Sequence, residues 1–188
     1  MKLQDKKPAL ILVDVQKAFL DEKYWGGNRN NKDAELVCGK ILKKWRELNL
    51  PIFHIRHSSA NLNSKLNQFN KGFEFNENVI PLEKEPIITK EVNSAFIGTN
   101  LKEQLDKLNI HTLVIVGITT NHCVSTTTRM AGNFGYETYL ISDATATFDR
   151  IGINGEKYDS ETIHLTTLAN LNDEFATVWN FKKLMSEL

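Results

Sequence analysis

The sequence is short of cysteine, carries no surplus charge of either sign and has no apolar run long enough to cross a membrane as a helix. Each shortage closes off a class of function. Two cysteines in 188 residues, Cys38 and Cys123, do not make a disulfide scaffold, so the expected compartment is the reducing cytoplasm. Lysine and arginine total 23 and aspartate and glutamate total 23, a balance that gives no support for a nucleic-acid or membrane-surface partner. The N-terminus, with Lys2, Lys6 and Lys7 ahead of an apolar run, superficially resembles a signal peptide. Asp14 interrupts that run after a strand's length, and no small-residue cleavage site follows. Also missing are a GxxxxGK phosphate loop and any glycine in the turn from Asp14 to Phe19 after the first apolar run. A dinucleotide needs such glycines so that backbone can approach its pyrophosphate, and nucleotide binding is therefore not expected.

What is present reads as one domain over residues 1–188, with 41% hydrophobic residues and a sizeable core. Pro8 to Val15 is an apolar run typical of a strand buried on both faces. Asn31 to Leu48 places Val37, Ile41, Trp45 and Leu48 on a helical stripe with Asn31 as a potential cap. Strands are predicted at 51–57 and 86–90, separated by a polar, asparagine-rich segment, 58–85, that reads as an irregular lid or binding loop. A helix from Thr99 or Asn100 to Leu108 leads into a central strand, and further strands follow at 138–144 and 175–180, with a helix at 160–171 and a short tail. The glycine-containing piece 148–158 is expected to form a flexible rim. Alternating strands and helices predict an α/β fold: a three-layer αβα, Rossmann-like arrangement with a six-stranded, mostly parallel sheet in the order 3-2-1-4-5-6.

The chain is organised around Thr112 to Tyr136. An apolar β-branched run (Leu113, Val114, Ile115, Val116) breaks at Gly117, turns through a polar elbow and enters a helix that ends before Gly135. Cys123 stands at the start of that helix, where the dipole and free N–H groups favour a thiolate and stabilise an oxyanion. With the strand order above, ligands bind beyond the carboxyl ends of the strands where the order reverses. Asp14, Lys90 and Cys123 all fall at such ends and are predicted to converge on one crevice.

Three motifs then carry a family resemblance. LILVDVQKAF around Asp14, ITKEVNSAFIGTNL around Lys90 and VGITTNHCVSTTTRMAGNFGYETYLISDATATF around Cys123 resemble the isochorismatase-like cysteine hydrolases, in order and at matching intervals over nearly the whole chain. The resemblance implies a catalytic Asp-Lys-Cys triad in Asp14, Lys90 and Cys123. It also implies a cis peptide between Ile118 and Thr119, with backbone N–H groups of Thr119 and Cys123 forming an oxyanion hole, and a homo-oligomer, dimer or larger. The residue types suit that chemistry: Lys90 is expected to lower the thiol pKa by its charge, and Asp14 to take the thiol proton and return it to a leaving amine. The expected reaction is hydrolysis of a C–N bond in a small amide, carbamoyl or ureido substrate.

No metal or other cofactor is expected. Nicotinamidases of the same superfamily carry Asp-x-His and a further His after the second strand, and the stretch from His57 to Leu62 lacks that pattern. True isochorismatases lack the nucleophilic cysteine. His54 and His57 point to opposite faces if their segment is a strand; His54 reads as a core histidine bonded in the sheet. Phe19, Trp25, His57, Ile118 and His122 are the substrate-binding candidates. Aromatic core packing competes for Phe19 and Trp25, loop stabilisation for His57, and simple space-filling at the elbow for His122. Cys38, on a helix, reads as a small buried hydrophobe, and Arg129 with Thr126 to Thr128 as helix-packing residues. A non-catalytic binding or scaffold member of the fold, and a thiol redox enzyme, are the competing classes; the second is weakened because Cys38 has no evident route to resolve a Cys123 oxidation product.

Overall fold

The computed structural model describes residues 2–188. Its centre is a six-stranded sheet built from β1 (Ala9–Val13), β2 (Ile52–His57), β3 (Ile87–Lys90), β4 (Thr112–Ile118), β5 (Glu137–Ala146) and, after a two-stranded hairpin of β6 (Arg150–Ile151) and β7 (Lys157–Tyr158), β8 (Thr177–Trp179). The spatial order is β3-β2-β1-β4-β5-β8, and every pairing in it is parallel. The sixth sheet strand is the one predicted at 175–180; the short hairpin alone displaces its number.

Two apolar layers follow from strand alternation. Ile11, Val13, Phe53, Ile55, Leu113 and Ile115 face one way, against α3 (Leu101–Lys107), α4 (Ser125–Asn133) and α5 (Ser160–Leu171). Leu10, Leu12, Ile52, Val114 and Val116 face the other, against α2 (Ala34–Glu47) and α6 (Phe181–Glu187); a single turn, α1 (Glu22–Trp25), lies apart from both. Trp45 anchors the second layer, wholly buried, its indole N–H donating to the Pro8 carbonyl at 3.0 Å. Cys38 is equally buried there, its thiol donating to the Ala144 carbonyl.

Four local details add to or correct these expectations. Asn31 does not cap α2, whose N-cap is Asp33; its amide instead donates to the Ser142 and Thr145 carbonyls at 3.0 and 2.7 Å, pinning the loop to β5. The short tail forms a helix, with Asn180 accepting from the Lys183 N–H at its start and Leu184 buried. Within the 148–158 rim, β6 and β7 pair as a short antiparallel hairpin. His54 bonds outside the sheet, its Nε2 lying 2.8 Å from Glu85 Oε2, and Glu85 is also gripped by Arg46.

The asparagines of 58–85 are explained by local turns. The side chains of Asn61, Asn67 and Asn76 each accept from the N–H two residues on, and Ser59 and Ser64 do the same. Such Asx and Ser turns, with two 3-10 turns at Lys71–Phe73 and Glu77–Val79, fold a long segment without an α-helix or a full strand.

Gly117 sits where β1 and β4 press together. Its φ is +136°, and a β-carbon there would lie 1.9 Å from the Val13 carbonyl oxygen. The pairing of β4 with β5 also shifts register between Ile115 and Gly117. Gly117→Ala is therefore expected to cost about 3 kcal/mol or more, measured as a loss of urea midpoint; a variant of unchanged midpoint would show that the strands part without penalty.

Candidate active site

β1, β2, β3 and β4 end on the same side of the sheet, and that edge holds the reactive groups. Asp14 follows β1 directly. Its φ of +52° is a left-handed conformation that aspartate tolerates better than most residues. Its N–H still donates to the Ile55 carbonyl, so the backbone stays tied to β2 while the carboxylate turns over the strand end. Lys90 closes β3, the edge strand, with β2 between it and β1. The two groups meet above the end of β2: Lys90 Nζ donates to Asp14 Oδ2 at 2.6 Å, and both side chains are wholly buried.

His57, last residue of β2 and the register partner of Lys90, lies under the same ammonium, with Nδ1 3.2 Å from Lys90 Nζ. Burial first, and then the Lys90 charge, push the His57 pKa down. The imidazole is thus neutral, with Nδ1 available to accept. Its backbone is fixed by Gln16, which is fully buried. The Gln16 side chain accepts from the His57 N–H at 2.8 Å and donates to the His57 and Phe73 carbonyls.

Cys123 arrives from the other side. After β4 the Ile118–Thr119 peptide is cis, and residues Thr120–Val124 form one wide π-helical turn before α4. Cys123 lies inside that turn, slightly ahead of the α-helix proper. Its Sγ, a carboxylate oxygen of Asp14 and a ring nitrogen of His57 all fall within 4.8 Å of one another. The thiol also lies 3.8 Å from Asn93 Oδ1. Asp14 Oδ1 is buried and has no hydrogen-bond partner. Among the described residues no acceptor lies on the Thr119 N–H. The turn itself is held by His164 of α5, whose Nδ1 is 2.9 Å from Thr120 Oγ1.

The electrostatics of the thiol differ from the expectation. Burial is the largest influence and pushes the Cys123 pKa well up; the Asp14 carboxylate adds to this, and Lys90 only partly opposes it. With its ammonium matched by Asp14, Lys90 has little net charge to offer the sulfur. The resting thiol is protonated.

Of these groups Cys123 and His57 border a cavity of about 220 Å³, whose other walls are Phe19, Trp25, Ser59, Ser64, Leu66, Asn93, Thr119 and His122. That is below the roughly 300–1,000 Å³ of pockets for drug-sized ligands, so its occupant is small. Phe19, Trp25, His57 and His122 therefore reach the cavity. Ile118 does not: it is fully buried behind the wall with Phe19, Leu66 and Phe148. Asn93 lies three residues past Lys90 in a motif already singled out, but nothing in the sequence distinguished it. Ser59, Ser64 and Leu66 come from a loop whose path only the fold defines. The threonines of α4 are packing residues in part: Thr127 Oγ1 accepts from the Ala95 N–H at 3.0 Å and fixes the loop that carries Asn93.

A metal ion is a poor fit. The carboxylate and imidazole that would ligate it both face the Lys90 ammonium, and a second cation among them would be repelled.

A profile of the Isochorismatase domain matches residues 8–180. The chain belongs to the isochorismatase family. A Bacillus subtilis (strain 168) isochorismatase family protein, YrdC, is 52% identical over 183 residues, covering 97% of each chain. Nicotinamidase 3 of Arabidopsis thaliana is 28% identical, covering 97% of this chain and 89% of its own. The crystal structure of an isochorismatase-family protein from Chromobacterium violaceum ATCC 12472 superposes with a TM-score of 0.94 at 36% identity, covering all of this chain and 96% of that one. The three-layer α/β fold with its parallel sheet is thus shared with a solved member of the family.

Because burial and Asp14 both raise the thiol pKa, carbamidomethylation of Cys123 by iodoacetamide is expected to be slow at neutral pH and to accelerate as pH rises. Asp14→Asn leaves the Lys90 cation unmatched, so the pH–rate profile, followed by intact mass, is expected to move to lower pH. An unmoved profile would mean that the carboxylate and thiol are not coupled.

Proposed function

We propose that this protein is a cysteine hydrolase that cleaves the C–N bond of a small amide, carbamoyl or ureido substrate through an acyl-enzyme on Cys123. The observation that carries the reading is the free Asp14 Oδ1: a buried carboxylate oxygen left unpaired while Oδ2 is held by Lys90. Such an orphan is costly, and its use as a proton acceptor for the neighbouring thiol accounts for it. A relative named a nicotinamidase supports amide chemistry in general, although the Asp-x-His pattern is absent from the segment after β2.

In the proposed sequence, Sγ–H gives its proton to Asp14 Oδ1 as sulfur attacks the substrate carbonyl carbon. The carbonyl π electrons move to oxygen, which the backbone N–H groups of Thr119 and Cys123 receive. Collapse breaks the C–N bond, and Asp14 returns the proton to the departing nitrogen. Water then attacks the thioester, again losing its proton to Asp14. Sulfur leaves and is reprotonated, releasing the acid. Lys90 keeps Asp14 oriented throughout and limits the build-up of negative charge as the thiol ionises. A protonated resting thiol suits this scheme, since proton transfer accompanies attack rather than preceding it.

Ammonia or amine release across small primary amides, carbamoyl compounds and ureides tests the reading. Cys123→Ala is expected to lose at least about 10³-fold in kcat/KM and to show no acyl adduct by intact mass. Asp14→Asn is expected to lose about 10²–10⁴-fold. Turnover by Cys123→Ala at the wild-type rate would overturn the mechanism. Absence of any Cys123-dependent turnover, with ligand binding retained, would favour a binding protein that keeps the fold.

A further inference from the structure

Of the five arginines, two are neutralised by carboxylates, whereas Arg56, Arg129 and Arg150 are partly buried without one among the described residues. Arg29 meets Glu35 through two bonds of 2.7 and 2.5 Å, and Arg46 meets Glu85 through two of 2.7 and 2.8 Å. Arg56 and Arg129 instead lie over the Phe73 and Phe175 rings, at 4.4 and 4.7 Å. Arg150, on β6 at the cavity mouth, is half-buried, and among the described residues no carboxylate pairs with it. Its Nε is buried with no hydrogen-bond partner. A guanidinium partly out of water and without a counter-charge is unfavourable in the empty site, and an arriving anion relieves that cost.

The guanidinium is also fixed and correctly placed. Nη1 donates to the Trp25 carbonyl at 3.2 Å, and Nη2 lies 3.5 Å from His122 Nδ1. Trp25 and His122 both wall the cavity that holds Cys123. The backbone of Arg150 is clamped opposite Tyr158 in the hairpin. Nearby carboxylates are committed elsewhere: Asp149 takes Lys157 at 2.6 Å, Asn28 and the Ser160 N–H, and Glu156 takes the Tyr158 hydroxyl and the Asn154 N–H. No wall residue of the cavity is acidic. Beneath it Asp14 is matched by Lys90, burial lowers the His57 pKa, and partial desolvation together with the Arg150 charge lowers that of His122, which is exposed at the mouth. The charge sum over cavity and mouth is therefore positive, and Arg150 is its source.

We propose that Arg150 forms an anion subsite at the mouth of the Cys123 cavity and selects substrates that carry a carboxylate on the side away from the scissile carbonyl. The inference rests on the hydrolase reading above and narrows it to small amido or carbamoyl acids. Guanidinium is the side chain suited to such a group, since its planar fork meets a carboxylate with two charge-assisted bonds.

Two matched probe pairs test the subsite: N-carbamoylglycine against propylurea, and succinamate against butyramide. Binding is read by calorimetry on the Cys123→Ala chain, and kcat/KM on the wild type. The acid of each pair is expected to be preferred by about tenfold or more. Arg150→Gln is expected to erase the preference while leaving the neutral probes within about twofold, and Arg150→Lys to restore part of it by charge alone. Equal losses for acids and neutral probes in Arg150→Gln would show a merely structural role and overturn the subsite. So would a preference that survives the substitution, no preference in the wild type, or no detectable binding of either acid. Acid-selective binding without turnover supports the subsite and counts against the hydrolase reading alone; turnover without selectivity does the reverse.

Discussion

An ammonium and a carboxylate, both fully withdrawn from water, face each other at 2.6 Å above the end of β2, and the rest of the site is arranged around that pair. Taking two charges out of water costs several kcal/mol each, and only close geometry with further hydrogen bonds compensates. Strands two apart in a sheet are separated by roughly 9–10 Å. The pair therefore forms only because a long lysine side chain reaches back from the edge strand toward a carboxylate turned aside by a left-handed residue. Alanine-like or short side chains at either position leave the gap unspanned. The three parallel strands β3, β2 and β1 are the frame that fixes this reach.

The pair also sets the character of everything near it. It uses one oxygen of Asp14 and leaves the other free, and it claims Nδ1 of His57. Because its charges largely cancel, the thiol beside it is governed by desolvation, while burial and the nearby ammonium hold the His57 pKa down. The site is consequently a nearly uncharged pit with one proton acceptor in its floor. Selectivity for charge has to come from the rim, where the hairpin after β5 brings an arginine that nothing in the chain neutralises. The proposed chemistry is assigned to strand ends and the π-helical turn, and the proposed discrimination to a hairpin, an arrangement in which rigid elements hold reacting groups and connections vary the pocket.

Much of this was legible from residue order. Buried apolar runs ending in Asp14, His57, Lys90 and the 118–123 elbow placed those residues at carboxyl ends of strands, and parallel connectivity then required them to share an edge. Asn93, Ser59, Ser64 and Leu66 were not legible, because a loop residue reaches a cavity by the path of its backbone, and no periodicity encodes that path. Asn31 was misread for a related reason: its position before a helix suggested a cap, whereas its amide bonds two carbonyls of a strand more than a hundred residues away. Ile118 was assigned to the pocket by its place beside the elbow, but a β-branched residue ending a buried strand has its side chain in the core.

By itself the sequence determined the alternation of strands and helices, which depends on local apolar patterning, and placed Asp14, Lys90 and Cys123 near strand ends. The strand order is an assumption that the structure bears out, and the triad roles rest on the family resemblance. The tertiary structure decided the protonation of Cys123, the neutrality of His57 and the uncompensated charge of Arg150. Desolvation and Coulomb interactions depend on what surrounds an atom in space, and those surroundings are assembled from segments far apart in the chain. The central stretch from Thr112 to Tyr136 delivers a thiol to the sheet edge; the buried pair brought from β1 and β3 decides what state that thiol is in.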